Sequence, residues 1–197
     1  MPNDAAEDVF DVDDEALEMW EAAKRLGSGP RLRGSQVDEL LARACDRTNH
    51  LSAETAVYAL GFATVTKRRL HHVTVRLLDI VDDSTRPDRI RGQAAEGVGD
   101  LLELTKQSTL RRTATLRLTK HLADASPEVR FWAAFSLGKL RARSARTALA
   151  GLVGDEATLP GWWSVGKEAA DALDMIAGRH SRSVRIQHRA IGRPPDR

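Results

Sequence analysis

A chain of 197 residues with 42% hydrophobic but only 5% aromatic side chains must build its core from Leu, Ala and Val, which favours helices packed through small residues. Cys45 is the single cysteine, so a disulfide framework within the chain and a Cys-rich metal site are excluded, and a cytoplasmic location is expected. The 30 Lys and Arg against 28 Asp and Glu leave a formal charge of only +2, which names no partner by itself.

The chain opens on Met1-Pro2-Asn3-Asp4, with neither a basic nor an apolar leader. Residues 1–23 hold nine acidic side chains and no Lys or Arg, and residues 1–12 are expected to be disordered. Ala16, Met19, Trp20, Ala23 and Leu26 then recur at helical spacing. They predict a capping helix over 13–26, with a linker through residue 34. The longest apolar stretch, Ala56 to Val65, is far too short to span a bilayer.

Residues 35–178 are repetitive. Ala56-Val57-Tyr58-Ala59-Leu60-Gly61, Ala94-Ala95-Glu96-Gly97-Val98-Gly99, Ala133-Ala134-Phe135-Ser136-Leu137-Gly138 and Ala169-Ala170-Asp171-Ala172-Leu173-Asp174 align without gaps, and their first alanines are 38, 39 and 36 residues apart. Each block follows a turn and, before it, another helical pattern. Ser52, Pro87 and Pro127 stand where the second helix of a unit is expected to begin. No stretch alternates with period two, so the predicted class is all-α: about four two-helix units, helix A then helix B, none of which buries its apolar face alone. The tail, residues 179–197, carries six Arg and one Asp and is expected to be flexible.

The strings Asp88-Arg89-Ile90-Arg91-Gly92-Gln93-Ala94-Ala95-Glu96 and Ser126-Pro127-Glu128-Val129-Arg130-Phe131-Trp132-Ala133-Ala134 resemble HEAT repeats of the short bacterial, phycobilisome-lyase-like type. The resemblance implies a right-handed α-solenoid. It also implies a ladder of Asp and Arg tying adjacent turns together, for which Asp82, Asp124, Arg91 and Arg130 are the matching positions. The family consists mostly of scaffolds and binding modules.

On a 100° helical wheel, Val129, Ala133, Leu137 and Leu140 of the third B helix share a core face with their counterparts in the neighbouring units. A second column, Val57 and Gly61, Ala95 and Gly99, Ala134 and Gly138, and Ala170, is small enough to let successive B helices approach closely. The remaining arc carries Tyr58, Phe62, Glu96, Asp100, Phe131, Trp132, Phe135, Glu168 and Asp171, with Trp162 and Trp163 at the start of the last B helix. In a HEAT-like solenoid this arc lines the concave face. An aromatic patch with an acidic rim suits a protein or peptide that brings apolar anchors and basic residues. The alternative is that the rings simply pack, as in a helix that is apolar all round because it is buried.

Chemistry is thinly represented. None of the six histidines forms an HExxH pair, and His71 and His72 diverge by about 100° on a helix, so no metal site is expected. The HEAT-like enzyme deoxyhypusine hydroxylase holds iron through His-Glu pairs. The matching places here are Gly92-Gln93, Phe131-Trp132 and Lys167-Glu168, and the iron ligands are missing. No nucleotide-binding or serine-hydrolase motif is present, and nothing singles out a bilin site. The expected function is therefore a non-catalytic adaptor or scaffold without a cofactor. The main alternative is nucleic-acid binding through Lys67, Arg68, Arg69, Lys106, Arg111, Arg112 and Arg117 of the A helices together with the Arg-rich tail, and a lyase-type HEAT protein is the other.

Overall fold

The computed structural model describes residues 32–179, which form eight α-helices and two short 3-10 turns, with no strand among them. The acidic segment 1–12, the predicted helix 13–26 and the tail beyond Arg179, with His180 and His188, lie outside the described residues. In chain order the helices are α1 (Gly34–Cys45), α2 (His50–Phe62), α3 (Lys67–Asp82), α4 (Asp88–Leu102), α5 (Ser108–Lys120), α6 (Pro127–Lys139), α7 (Arg146–Leu152) and α8 (Val165–Ala177). The 3-10 turns are His121–Ala123 and Arg143–Ala145.

Local chemistry sets the helix starts. Asn49 caps α2 by accepting the Ser52 N–H at 2.9 Å, so this helix begins before the expected cap at Ser52. Thr66 caps α3 and Ser164 caps α8 in the same way. Pro127 opens α6 at its first position, where the missing N–H is harmless. Pro87 stands one place further out, as the residue before α4. Arg86, just ahead of it, is buried, and its guanidinium donates to the carbonyls of Ala44 and Asp46, which ties the α3–α4 turn to the end of α1.

The helices pair in order, α1 with α2, α3 with α4, α5 with α6 and α7 with α8. The even-numbered helices also pack side by side, α2 on α4, α4 on α6 and α6 on α8, and these are the largest contacts in the molecule. The core faces agree with the wheel at Val129, Ala133, Leu137, Leu140, Ile90, Ala94, Val98, Val165, Ala169 and Ile176, all buried. Leu101 and Leu173 are only partly buried, and the adjacent Leu102 and Ala172 turn inward in their stead.

The helix-on-helix contacts repeat with the sequence. A Cβ placed on Gly61 would stand 2.7 Å from the Gly97 Cα, one on Gly99 would stand 2.8 Å from the Ser136 Cβ, and one on Gly138 would stand 2.9 Å from the Ala172 Cα. Gly61, Gly99 and Gly138 form the expected column. Gly97, Ser136 and Ala172 form its counterpart at equivalent positions of the next unit, and Ala170, grouped with that column in the sequence, is half-exposed instead. The two inner even helices, α4 and α6, thus each offer one small residue backward and another forward. Ser136 adds a hydrogen bond, its Oγ–H donating to the Ala95 carbonyl at 2.7 Å.

This geometry fixes the sign of a substitution. In an open helix, Gly→Ala stabilises by up to about 1 kcal/mol. Gly151→Ala in α7, where nothing lies within 4 Å, should follow that rule. Gly61→Ala meets backbone and should instead destabilise by about 1–3 kcal/mol, and urea unfolding followed by circular dichroism measures both.

Candidate functional site

The face presented by α2, α4, α6 and α8 gathers most of the aromatic and acidic residues of the predicted arc. On α2, Tyr58 and Phe62 are half-buried and tilted at 48° with centroids 4.6 Å apart. Beside them Glu54 pairs with Arg89 at 2.5 Å. On α4, Glu96 and Asp100 are one turn apart, and the Lys139 ammonium from α6 bonds Asp100, approaches Glu103 at 3.4 Å and lies 5.1 Å above the Phe135 ring. Burial, then the charges of Asp100 and Glu128, push the Glu96 pKa up to about 8, with Lys139 acting against them. Glu96 is only half-buried by solvent exposure, so the shift reflects dense packing around its carboxylate. Glu128 of α6 is raised as well, by burial first, against the pull of Arg89 and with the repulsion of Glu54. Glu54, Glu96, Asp100 and Glu128 therefore form one interacting acidic strip across three helices.

The aromatic residues divide in two. Phe131, Trp132, Phe135, Trp162 and Trp163 form a separate five-ring cluster, with Phe131 5.1 Å from Trp132, 5.6 Å from Trp162 and 6.4 Å from Trp163 between centroids. Trp132 meets Phe135 at 5.4 Å and Trp162 at 5.1 Å, both edge to face. Phe131 is fully buried and Trp132 and Phe135 nearly so, which corrects their placement on an open groove. Trp132 rests on α4 at Gly92, where a Cβ would come within 2.8 Å of the indole. Trp162 and Trp163 are half-buried and precede α8 in a turn, Gly161 at φ +74° and a bridge between Thr158 and Ser164, and do not begin that helix.

Glu168 also leaves the surface, at 1% exposure. It accepts the Trp163 indole N–H at 2.9 Å, and burial pushes its pKa up to about 8 against that hydrogen bond. Asp171 is partly buried and lies 3.5 Å from Lys167, whose ammonium also lies 5.5 Å from the Trp163 ring.

Arg91 and Arg130 do tie adjacent turns, with a forward offset. Arg91, 6% exposed along its side chain, donates both terminal nitrogens to Asp124 of the next turn and its Nε–H to the Val81 carbonyl at 3.0 Å. Arg130 reaches Asp155 at 2.8 Å and the carbonyls of Asp124 and Ala125. Asp82 does not meet Arg91. It pairs with Arg117 and with His121, which also faces Asp124, so that Arg117, Asp82, His121, Asp124 and Arg91 form one chain of polar contacts. Burial opposes ionisation of Asp124, but the hydrogen bonds from Arg91 and the Ser126 N–H outweigh it and hold its pKa below the ordinary value. Asp155, the rung missing from the expected ladder, stands five residues before Pro160 as Asp82 stands before Pro87, so the turn signal was present in the sequence.

Of the seven basic residues expected on the A helices as nucleic-acid contacts, Lys106 precedes α5 and is not on a helix, and three of the others serve the fold. Arg69 pairs with Asp38, Arg117 with Asp79 and Asp82, and Arg111 donates to the carbonyls of Leu102 and Leu140. Lys67, Arg68, Lys106 and Arg112 are exposed. Among the described residues no three His, Cys, Asp or Glu side chains are grouped to hold a metal ion, and no helix is long and apolar enough to cross a membrane. Cys45 is half-buried and accepts from Arg76 at 3.4 Å. No protein-family model and no curated protein matches the chain.

Two outcomes follow from these charges. Asp124→Ala strands the buried Arg91 guanidinium and should cost about 3–5 kcal/mol in chemical denaturation, whereas Asp82→Asn, whose partners are more exposed, should cost about 1 kcal/mol or less. Glu96 and Glu168 keep their protons when folded and lose them at an ordinary pKa of 4.5 when unfolded. Stability must therefore fall as pH rises from about 5 to about 8, and the Glu96→Gln/Glu168→Gln double variant should flatten that slope.

Proposed function

We propose that the chain is a HEAT-like repeat protein, a right-handed α-solenoid of four helical hairpins, that binds a segment of another protein on the face of its even-numbered helices. The fold part rests on the three equivalent close contacts, Gly61 with Gly97, Gly99 with Ser136 and Gly138 with Ala172, which recur with the unit. Repeating the same contact from unit to unit is how a stacked array buries faces that no unit covers alone. The right-handed sense comes from the resemblance of the repeat strings.

The observation that carries the function is the acidic strip. Glu54, Glu96, Asp100 and Glu128 gather around two paired cations, Arg89 and Lys139, among the described residues, and burial together with its acidic neighbours leaves Glu96 holding its proton. A Lys or Arg brought by a partner lets Glu96 release its proton and pair with it, and the flanking Tyr58 and Phe62 rings accept an apolar anchor next to it. Asp171 extends the acidic rim toward α8. The buried rings of α6 shape the floor and do not themselves touch the partner. The reading is an adaptor or scaffold without catalysis or cofactor, in the cytoplasm as the single cysteine favours.

Tyr58→Ala combined with Glu96→Lys removes an anchor and reverses a charge at positions outside the core. Affinity purification from the native host should lose partners that the unaltered chain recovers, with the helical circular dichroism signal retained. Recovery of the same partners by a folded double variant would refute this reading.

A further inference from the structure

Along one end of the helical stack lies a row of cations without a charged partner among the described residues. Gly34 at the start of α1 lies against the Arg69 guanidinium in the first turn of α3. His71 of α3 shares an open cavity of about 370 Å³ with Lys106 and with Ser108 and Thr113 of α5. Arg111 of α5 donates to the Leu140 carbonyl at 2.6 Å, which places the first turn of α5 beside the turn that follows α6. The starts of α1, α3 and α5 and the α6–α7 turn are thus consecutive neighbours. Lys67, Arg68, Lys106, Arg112, Arg141 and Arg143 are exposed along this row, and among the described residues no side-chain hydrogen bond or ion pair engages any of them.

Arg141 supplies a second, independent observation. It stands at φ +48° just beyond α6, with its N–H bonded to the Gly138 carbonyl at 2.9 Å and the Ala142 N–H bonded to the Leu137 carbonyl at 3.0 Å. This is the left-handed helix-ending position that glycine occupies most comfortably, as Gly178 does at the end of α8. An arginine here strains the backbone, and its guanidinium returns nothing to the fold. Strain held at an exposed, unpaired charge points to a task outside folding.

We propose that this row is a docking edge for the phosphodiester backbone of nucleic acid, which it holds through charge without reading sequence. Successive helices stand about 8–10 Å apart, so cations repeated at their starts form a linear array, the shape that a linear polyanion matches and a single small anion does not. The polar cavity at His71, Lys106, Ser108 and Thr113 gives one phosphate hydrogen-bond donors in addition to charge. The edge is separate from the acidic strip, so this inference stands or falls independently of the partner-binding face.

The test uses the full chain and fluorescence anisotropy with a generic duplex of about 25 base pairs, starting near 50 mM salt. Binding should weaken linearly on a log scale as salt rises. Arg141→Gly should weaken it several-fold and reduce the salt slope by about 0.9. The same variant should raise the thermal midpoint by about 2–4 °C, which separates lost contact from lost folding. Lys106→Gln with Arg112→Gln should weaken binding similarly, while Lys120→Gln at the far end of α5 should leave it unchanged. Leu104, 89% exposed two residues before Lys106, would let an anionic membrane hold the same edge, so phosphatidylserine vesicles form the second arm. Vesicle binding without duplex binding overturns the proposal. So does the absence of duplex binding, an effect of Lys120→Gln equal to that of Arg141→Gly, or edge variants that bind like the unaltered chain, as they would if the Arg-rich tail did the work.

Discussion

Everything else in this molecule depends on how closely its even-numbered helices approach one another. At Gly61 against Gly97 the distance leaves no room for a methyl group, and the same holds at Gly99 against Ser136 and at Gly138 against Ala172. Packing this tight spreads dispersion contacts over whole backbones and compensates for a composition short of large rings. It also fixes where the large side chains go. They cannot enter the interhelical seams, so the rings collect on the outer surface of α2 and in the cluster between α6 and the turn before α8. Where Trp132 does cross a seam, Gly92 makes the room.

The same spacing brings the turns within reach of each other. Arg91 extends to Asp124 and Arg130 to Asp155 because each turn stands directly beside the next. The buried Arg91 pair is weak evidence for stability, since desolvating both charges offsets most of their attraction. Its effect is on register. Asp124 is the carboxylate of the next turn that this guanidinium, with 6% side-chain exposure, bonds through both terminal nitrogens, and sliding one unit against the next would break that pair. Small residues permit the approach, and the charged pairs specify which approach is taken.

Repeat, helix class and one half of the seam were legible in the sequence, because they follow from periodicity alone. Gly61, Gly99 and Gly138 announced themselves as a column, whereas Gly97, Ser136 and Ala172 did not. A wheel reports which residues share a face of one helix, and the second column becomes visible only when two helices are placed together. The aromatic residues were harder for the same reason. Phe131 and Trp132 differ by one position and 100°, yet both are buried, since the turn with Trp162 and Trp163 folds over α6 and closes what a wheel leaves open. Glu168 belongs to that closure and Asp171, three residues on, does not. Of the expected Asp–Arg ladder, Arg91 with Asp124 ties adjacent turns, whereas Arg130 reaches Asp155 and Asp82 pairs elsewhere, because side-chain reach is set by the separation of the units and not by sequence distance.

The formal charge of +2 hides a separation that matters more than its size. Glu54, Asp100 and Glu128 gather around a protonated Glu96 on the face of the even helices, while exposed cations line the starts of α3 and α5. At physiological salt, charges are screened over about 8 Å, less than the thickness of a single helix layer with its side chains. The two regions therefore do not cancel in solution. An approaching molecule meets one field or the other according to the side from which it comes, and a basic segment and a polyanion have no common site to contest. The near-neutral formal charge of the whole chain therefore conceals two regions of opposite sign among the described residues.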